Sequence, residues 1–326
     1  MKEPLISFII PYYNLTEELL DRCIHSILQQ EMCTNLYEIW LIDDGSDKSP
    51  ATFLNKFNQP NIYYYHQENA GPGGARNQGI LLAKGRYIQF VDGDDYLLPN
   101  SLQHYLPLIE QGKCDLLNFQ YVDCKELEPQ LVEQTDLTIT HTTGISYMLH
   151  NNLYAHPYLF IFRKELAIQN QVFFPADLYH EDEVFAPKIY IHAEKVITTN
   201  LKVYAYYDRE DSITHEKSKR HLIKRFLDIR QVLHILLDYR EKLEKDKQKA
   251  LTRKIDQLTM DFMICVMYEL HSYNYLQKQL KFLHELGLYP LANKHYTYKY
   301  TLFRYLSSHK LGLRCLNLFV PLLLKL

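Results

Sequence analysis

Residues 37–46, Tyr-Glu-Ile-Trp-Leu-Ile-Asp-Asp-Gly-Ser, place a mostly apolar run directly before a polar turn. A run of this length and composition is typical of a strand that is buried on both faces of a parallel sheet. Polar side chains that follow such a strand lie at the edge of the sheet where α/β proteins bind ligands. The stretch therefore predicts a buried strand followed by one wall of a crevice, although an ordinary Asp44-Gly45 turn with Ser46 as a helix cap explains the same residues.

The same pattern of strand, polar turn and helix occurs on both sides of this stretch. Residues 5–10 are apolar and are expected to form a strand that ends at Pro11, before a helix capped by Thr16. Further along, a Gly-rich turn precedes a predicted helix over residues 75–83 and a buried strand over residues 87–91. Alternation of this kind predicts an α/β fold with a mainly parallel sheet flanked by helices.

The charge and the apolar pattern both change near residue 215. Residues 1–215 carry 15 Lys and Arg against 29 Asp and Glu, whereas residues 216–326 carry 21 against 10. The net charge of −3 thus conceals an acidic part and a basic part. After about Ser212 the pattern becomes mostly helical, which predicts an α/β domain over 1–215 and a helical, basic C-terminal region over 216–326.

The composition excludes several classes of protein. An apolar fraction of 47% excludes a disordered chain, and the six Cys form no CxxC pair and no zinc-ligand spacing. No signal-peptide pattern begins the sequence, and the apolar run at Cys315–Leu326 is shorter than the roughly 18 to 20 residues that span a bilayer. We therefore expect a cytoplasmic protein without a transmembrane segment.

Three carboxylates follow the predicted strand at 87–91, in Phe90-Val91-Asp92-Gly93-Asp94-Asp95. Alternate side chains of an extended segment face the same way, so Asp92 and Asp94 can converge on one ligand. Convergent carboxylates repel each other unless a cation joins them, and Mg²⁺ or Mn²⁺ suits oxygen ligands together with substrate phosphates. A solvated acidic turn is the alternative interpretation of these residues.

The glycine turn at residues 71–74 fits neither common nucleotide motif. Arg76 stands where a third glycine would complete GxGxxG, and no Gly-Lys-Ser/Thr follows. What remains is a helix N-terminus that attracts phosphate, with Arg76 able to fork onto phosphate oxygens. This turn therefore predicts a phosphate-binding site.

Taken in order, these motifs resemble those of inverting family 2 glycosyltransferases of the GT-A fold, over residues 1 to about 215. The resemblance implies a Rossmann-like sheet that binds a nucleotide-diphospho-sugar. The motifs that carry it are Pro11-Tyr12-Tyr13-Asn14, Asp43-Asp44-Gly45-Ser46, Asn69-Ala70-Gly71, Ala75-Arg76-Asn77 and Asp92-Gly93-Asp94-Asp95.

The resemblance also implies roles for single residues on the donor side. Pro11, Tyr13 and Asp44 are implied to surround the nucleotide base. Asp92 is implied to contact the ribose, and Asp94 to hold Mn²⁺ or Mg²⁺, with Asp92 as a possible second ligand. Arg76 is implied to lie on the donor-binding helix.

Two later segments are similar to the parts of the family that complete the reaction. His180-Glu181-Asp182-Glu183-Val184-Phe185 resembles its Glu-Asp-x-x-Phe motif, which implies that Asp182 is the catalytic base, with Glu181 as the rival carboxylate. The segment from Tyr206 to Thr214 resembles its Tyr-x-x-Arg-x-x-Ser motif. Arg209 is then expected to reach the diphosphate, to brace a mobile loop, or to form a surface salt bridge.

The function expected from the resemblance is metal-dependent transfer of a sugar, with UDP as the favoured donor nucleotide. The acceptor is expected to be a hydroxyl of a surface glycan or a lipid-linked saccharide. A sugar nucleotidyltransferase, or a catalytically silent module that binds nucleotide-sugar or glycan, is the alternative. The basic C-terminal region either packs on the first domain or contacts an anionic membrane surface, and no nucleic-acid motif is present.

Overall fold

The computed structural model describes residues 3–110, 112, 114–125, 136–209 and 218–323. The chain divides into two compact units, one within residues 1–147 and 155–216 and one within residues 148–154 and 217–326. The expected boundary at residue 215 lies outside the described residues, as does Ser212 of the segment that follows Tyr206.

In its described part, the first unit contains nine strands joined in one sheet: β1 (Ile6–Tyr12), β2 (Tyr37–Asp43), β3 (Ile62–His66), β4 (Tyr87–Phe90), β5 (Tyr96–Leu97), β6 (Leu116–Cys124), β7 (Ile139–Thr142), β8 (Phe160–Arg163) and β9 (Val196–Tyr207). Its helices are α1 (Glu17–Leu28), α2 (Ala51–Leu54), α3 (Gly71–Leu82), α4 (Ser101–Glu110), α6 (Lys164–Gln169) and α7 (Asp182–His192), and it includes the first four residues of α5 (Gly144–His150).

The strand order is β3-β2-β1-β4-β8-β6-β9-β5, with β7 also pairing with β9. The four N-terminal strands are parallel to one another, whereas β8 is antiparallel to both of its neighbours. β6 and β9 are again parallel. The predicted α/β fold with a mainly parallel sheet is therefore confirmed, with a mixed second half.

A buried polar network explains why Glu38 interrupts the apolar run of β2. Its Oε1 accepts hydrogen bonds from Ser7 Oγ at 2.6 Å and from the backbone N of Lys84 at 2.5 Å. Ser7 Oγ in turn accepts from the backbone N of Gly85 at 2.8 Å. Because each buried polar group has a partner, the network joins β1, β2 and the segment that follows α3 without an unsatisfied charge.

The sequence led us to expect that the first strand ends at Pro11. In the structure this strand continues to Tyr12. The carbonyl of Ile9 accepts from the backbone N of Val91 on the β4 side, and the carbonyl of Tyr12 accepts from Asp44 N on the β2 side. Residues at alternate positions point to the same neighbour, so Pro11 points to the β4 side. The paired register with β4 stops at Ile9, so the missing N–H of Pro11 costs no ladder bond.

The described helices of the second unit that follow residue 217 are α8 (Lys219–Glu241), α9 (Lys245–Leu270), α10 (Tyr273–Glu285), α11 (Tyr298–Ser307) and α12 (Lys310–Leu323). Most of the densely charged stretch at 241–257 and all of the apolar-rich stretch at 258–270 lie in one helix, α9. Its Lys254 Nζ donates to the carbonyl of Leu153 at 2.7 Å, and Arg253 donates to the carbonyl of Leu149. These bonds explain why residues 148–154 belong to this unit.

Across the described ranges, no helix is both long enough and apolar enough to cross a membrane.

Candidate active site

The loops that follow β1 and β2 are fastened to each other by Asn14. Its backbone N donates to Ser46 Oγ at 3.0 Å, and its side-chain Nδ2 donates to Asp47 Oδ2 at 3.2 Å. The backbone N of Asp47 returns a bond of 2.9 Å to Asn14 Oδ1. Asn14 adopts a left-handed backbone with φ of 48°, which Asn tolerates better than most residues. The loops that follow β1 and β2 therefore lie together at this edge of the sheet.

Asp44 positions the loop that leads into α3. Its carboxylate is buried, and Oδ1 accepts from Gln67 Nε2 at 2.7 Å and from the backbone N of Ala70 at 2.9 Å. Tyr13, by contrast, is half exposed. Tyr13 therefore offers an open aromatic ring beside β1, while Asp44 is a fixed carboxylate at the end of β2.

Asp43 has a structural role, which the sequence alone did not distinguish from the role of Asp44. Its fully buried carboxylate accepts from the backbone N of Ser46 at 3.0 Å and from Tyr64 Oη at 2.8 Å, and lies 3.1 Å from His66 Nδ1. Burial opposes ionisation of Asp43, but the hydrogen bonds from Ser46, Tyr64 and His66 outweigh it and lower its pKa. Asp43 thus remains charged and holds the turn after β2 in place.

The carboxylates of the Asp92–Asp95 loop divide between structure and cleft. Asp95 is buried, and its two oxygens accept from Tyr204 Oη at 2.6 Å and from the backbone N of Tyr207 at 2.7 Å. Asp92 and Asp94 are only partly buried. Gly93 lets the acidic loop lie close to the loop that follows β1, because a Cβ at Gly93 would lie 2.7 Å from Leu15 Cδ1.

The carboxylate oxygens of Asp94 are suited to binding a divalent cation. Burial and the charge of Asp92 raise its pKa, although Arg209 Nη2, at 2.8 Å from Oδ2, opposes that shift. A divalent cation bound here would favour the charged form of this carboxylate. Within the described ranges no group of three or more His, Cys, Asp or Glu side chains could hold a metal ion. Asp94, with Asp92 beside it, fits a cation that takes its other ligands from donor phosphates and water.

Arg76 joins the two acidic segments of the site. From α3, its Nη2 lies 2.7 Å from Asp92 Oδ1 and its Nη1 lies 2.9 Å from Glu181 Oε1. Its side chain is buried, with the guanidinium 5.5 Å from the centre of the Phe174 ring. Burial alone would lower the pKa of Arg76, but Asp92 and Glu181 raise it. In this structure the fork of Arg76 is directed at two protein carboxylates and away from solvent.

The two candidate bases at the start of α7 have different surroundings. Glu181 is buried and ion-paired with Arg76, whereas Asp182 Oδ1 accepts a bond of 2.9 Å from the backbone N of Glu183. Burial, followed by the charges of Glu183 and Glu181, raises the pKa of Asp182 to about 8, with Arg76 opposing the shift. A carboxyl group with a pKa near the operating pH is suited to proton transfer.

Arg22, in α1, is a site residue that sequence reasoning missed. Its Nη2 donates to the backbone carbonyl of Asp94 at 2.5 Å. Its guanidinium lies 4.8 Å from the centre of the Tyr96 ring and 4.4 Å from that of Tyr207. The available signal was a cation beside Cys23 on the apolar face of an amphipathic helix, where a buried charge needs a specific partner.

Tyr204 was also missed, because 27 tyrosines are scattered through the chain. Its hydroxyl accepts from the backbone N of Asp92 at 3.0 Å and donates to Asp95 Oδ2 at 2.6 Å. Its ring stacks on Tyr158 with 4.5 Å between ring centres. Tyr204 therefore fixes both ends of the acidic loop from a strand more than 100 residues away.

Comparison with known proteins identifies the family. The model of glycosyl transferase family 2 matches residues 7–170, which include the donor-side candidates but not Glu181, Asp182 or Arg209. The uncharacterized glycosyltransferase EpsJ of Bacillus subtilis is 29% identical over 65% of this chain and 63% of its own length. The poly(ribitol-phosphate) beta-glucosyltransferase of Bacillus spizizenii is 36% identical over 34% of this chain and 18% of its own length.

Among solved structures, S. aureus TarS 1-349 in complex with UDP-GlcNAc is 20% identical and has a TM-score of 0.68, covering 98% of this chain and 91% of that one. This likeness shows the fold, which is GT-A. The chain spans less than two thirds of the length of the curated relatives just named. Because the family model covers half of the sequence, the chain belongs to glycosyl transferase family 2.

Proposed function

We propose that this protein transfers a sugar from a nucleotide-diphosphate donor, with UDP as the nucleotide, to a hydroxyl of a saccharide acceptor, with inversion at the anomeric carbon. The observation that carries the proposal is the double ion pair of Arg76. It holds Asp92, on the donor side, and Glu181, next to the candidate base, within reach of one guanidinium. A donor bound at Asp92 would therefore lie beside Asp182.

On the donor side, Pro11 and Tyr13 are proposed to pack against the nucleotide base and Asp44 to accept a hydrogen bond from it. Support comes from the half-exposed ring of Tyr13 and from the fixed carboxylate of Asp44. Asp92 is proposed to bind the ribose. The preference for UDP rests on the TarS complex with UDP-GlcNAc, a protein that shares the fold.

A divalent cation, Mn²⁺ or Mg²⁺, is proposed to bind at Asp94, with Asp92 as a possible second ligand. When bound, such an ion offsets the charge that develops on the leaving diphosphate. Arg209 is ion-paired with Asp94 in this structure. We propose that Arg209 exchanges this carboxylate for diphosphate oxygens when a donor binds, since a guanidinium can pair with either.

Asp182 is proposed to act as the general base. It removes the proton of the acceptor hydroxyl as that oxygen bonds to the anomeric carbon and the bond to the diphosphate breaks. Glu181 is the weaker candidate, because its carboxylate is held by Arg76. A positioned base typically contributes about 100- to 10,000-fold to the rate.

The acceptor is proposed to be a surface glycan or a lipid-linked saccharide, since one relative is a poly(ribitol-phosphate) beta-glucosyltransferase. We also propose that the enzyme works in the cytoplasm, because all six cysteines are free thiols, as is usual in a reducing compartment. Nucleic acid is not among the proposed partners.

The alternatives have less support in the site. A sugar nucleotidyltransferase is expected to carry a Gly-rich loop with Arg and Lys after the first strand, and Pro11-Tyr12-Tyr13-Asn14 contains none of these. A silent binding module would not need a carboxyl group whose pKa is raised towards neutrality, as that of Asp182 is.

The proposal is tested by calorimetric binding of UDP and of GDP, each with and without Mn²⁺, to the wild type and to Asp94→Asn. We expect UDP to bind most tightly with the metal present, and Asp94→Asn to lose the effect of the metal. Asp246→Asn, at an exposed site on α9, is the matched control and should bind like the wild type. Failure of the wild type to bind either nucleotide would contradict the donor site.

A further inference from the structure

α11 has apolar side chains on two opposite faces. Tyr300 and Phe303 are buried, whereas Tyr298, Leu302 and Tyr305 are 85%, 46% and 62% exposed. The exposed residues follow the i, i+4, i+7 spacing that forms one row along a helix. This row lies opposite the buried face, so packing within the second unit leaves it uncovered.

α12 repeats the arrangement. Leu313 and Val320 are buried, while Leu311, Leu318 and Leu322 are 75%, 63% and 57% exposed. Cys315, also exposed, completes a row with spacings of four, three and four residues. α11 and α12 contact each other, and both contact α9. We call the two rows together the outer stripe: Tyr298, Leu302, Tyr305, Leu311, Cys315, Leu318 and Leu322.

An outer stripe of this kind needs an explanation. Single exposed apolar residues are ordinary on protein surfaces, but contiguous apolar rows mark sites that contact something else. The two tyrosines of the outer stripe indicate what kind of surface it contacts, because Tyr298 and Tyr305 each join an apolar ring to a polar hydroxyl. Such side chains are favoured where an apolar phase meets water.

The charged side chains of α11 and α12 are all cations. Lys299, Lys310 and Arg314 are exposed on the same two helices, and the sequence contains no carboxylate after Glu285. A cavity of about 480 Å³ lies beside the stripe and is lined by His271, Tyr273, Arg314, Asn317, Leu318 and Pro321. Arg314 and Asn317 give this cavity the polar chemistry that recognises an anionic headgroup.

We propose that the outer stripe rests on an anionic lipid bilayer, with the leucines at the boundary of the acyl chains and the cations among the headgroups. A second copy of the chain fits less well, because a two-fold contact through the same stripe would place two surfaces that each carry Lys299, Lys310 and Arg314 against one another. The bilayer instead supplies both the apolar phase and the opposite charge. This contact requires no sugar transfer and can be tested independently of it.

Two exposed cysteines allow a matched test of depth. An environment-sensitive fluorophore is attached either to Cys315, with Cys33 changed to Ser, or to Cys33, with Cys315 changed to Ser. Vesicles contain phosphatidylcholine alone or with about 30 mol % phosphatidylglycerol. We expect a blue shift only from the Cys315 label and only with the anionic vesicles. No shift at Cys315, or equal shifts at both positions, would overturn the proposal.

Vesicle sedimentation then separates apolar from electrostatic contributions. Leu311→Ser/Leu318→Ser should weaken binding to the anionic vesicles at least tenfold, and Lys310→Gln/Arg314→Gln should weaken it by about fivefold for each lost charge. Leu81→Ser/Ile168→Ser, which removes two exposed apolar residues from the first unit, is the matched control and should bind like the wild type. Circular dichroism of each variant checks that it is folded. A membrane contact would be contradicted if Leu311→Ser/Leu318→Ser bound the vesicles as tightly as the wild type. It would also be contradicted if the wild type bound no vesicles and formed a dimer that this variant dissociates.

Discussion

Arg76 and Glu181 form a buried ion pair, with 2.9 Å between Nη1 and Oε1, across 105 residues of sequence. The other terminal nitrogen of Arg76 holds Asp92 at 2.7 Å. One side chain on the glycine-initiated helix α3 therefore sets the distance between the acidic loop after β4 and the start of α7. Residues that are far apart in the sequence become one site through this contact.

Replacing Arg76 by Met should destabilise the fold by about 3 to 5 kcal/mol, because Glu181 would remain buried without its partner. Urea unfolding measures the loss. The double variant Arg76→Met/Glu181→Gln should recover part of it, and Arg86→Met, at an exposed arginine, is the control. An unchanged unfolding midpoint in Arg76→Met would show that the ion pair does not hold the two segments.

Arg22→Lys should weaken the metal-dependent part of donor binding by about tenfold or more, since a small displacement of Asp94 is enough to spoil ligand geometry. Lysine keeps the charge but loses the planar group that lies over Tyr96 and Tyr207. Titration of Mn²⁺ in the presence of UDP measures the effect, while UDP affinity without metal should not change.

Lys56→Gln is the control for Arg22, because Lys56 pairs with Asp21 on the same helix and touches no residue proposed to bind donor. If Arg22 acts only in packing, the Arg22→Lys variant should be less stable than the wild type but should give the same Mn²⁺ titration.

Asp182→Asn should make the protein more stable at alkaline pH. The pKa of Asp182 is raised from 3.8 to about 8, so between these values the folded state keeps a proton that the unfolded chain has lost. Stability therefore falls as pH rises through this window, and the Asn variant avoids that loss. Thermal unfolding at about pH 5 and about pH 9 should show a larger gain at the higher pH.

Asp246→Asn provides the opposite case, because a hydrogen bond from Lys249 lowers the pKa of that exposed carboxyl. It should bring no gain at either pH. An Asp182→Asn variant whose melting temperature follows the wild type at both values would mean that the folded protein does not disfavour ionisation of Asp182.

The parts of the site that sequence predicts are those where one short segment carries the signal. Asp44, Asp92 and Asp94 follow buried strands, and the parallel sheet brings such ends together. The predicted end of β1 at Pro11 was wrong, because the effect of a proline depends on which neighbouring strand still pairs with β1 at that position. No local pattern contains that information.

Long-range contacts account for most of what was missed. Arg22 meets the carbonyl of Asp94 across 72 residues, and Tyr204 meets Asp95 across 109. The choice between Glu181 and Asp182 likewise depends on a contact with α3. The outer stripe became visible only when the buried faces of α11 and α12 were known, since both helices are apolar on two sides.

The most direct test of the central claim is the rate of sugar transfer by Asp182→Asn and by Glu181→Gln, measured with saturating donor and with UDP binding checked in each variant. We expect Asp182→Asn to lose about 100- to 10,000-fold in rate while it still binds UDP. Glu181→Gln, whose amide oxygen can still accept from Arg76, should retain most of its activity. Normal transfer by Asp182→Asn, or loss of transfer only in Glu181→Gln, would contradict the assignment of Asp182 as the base.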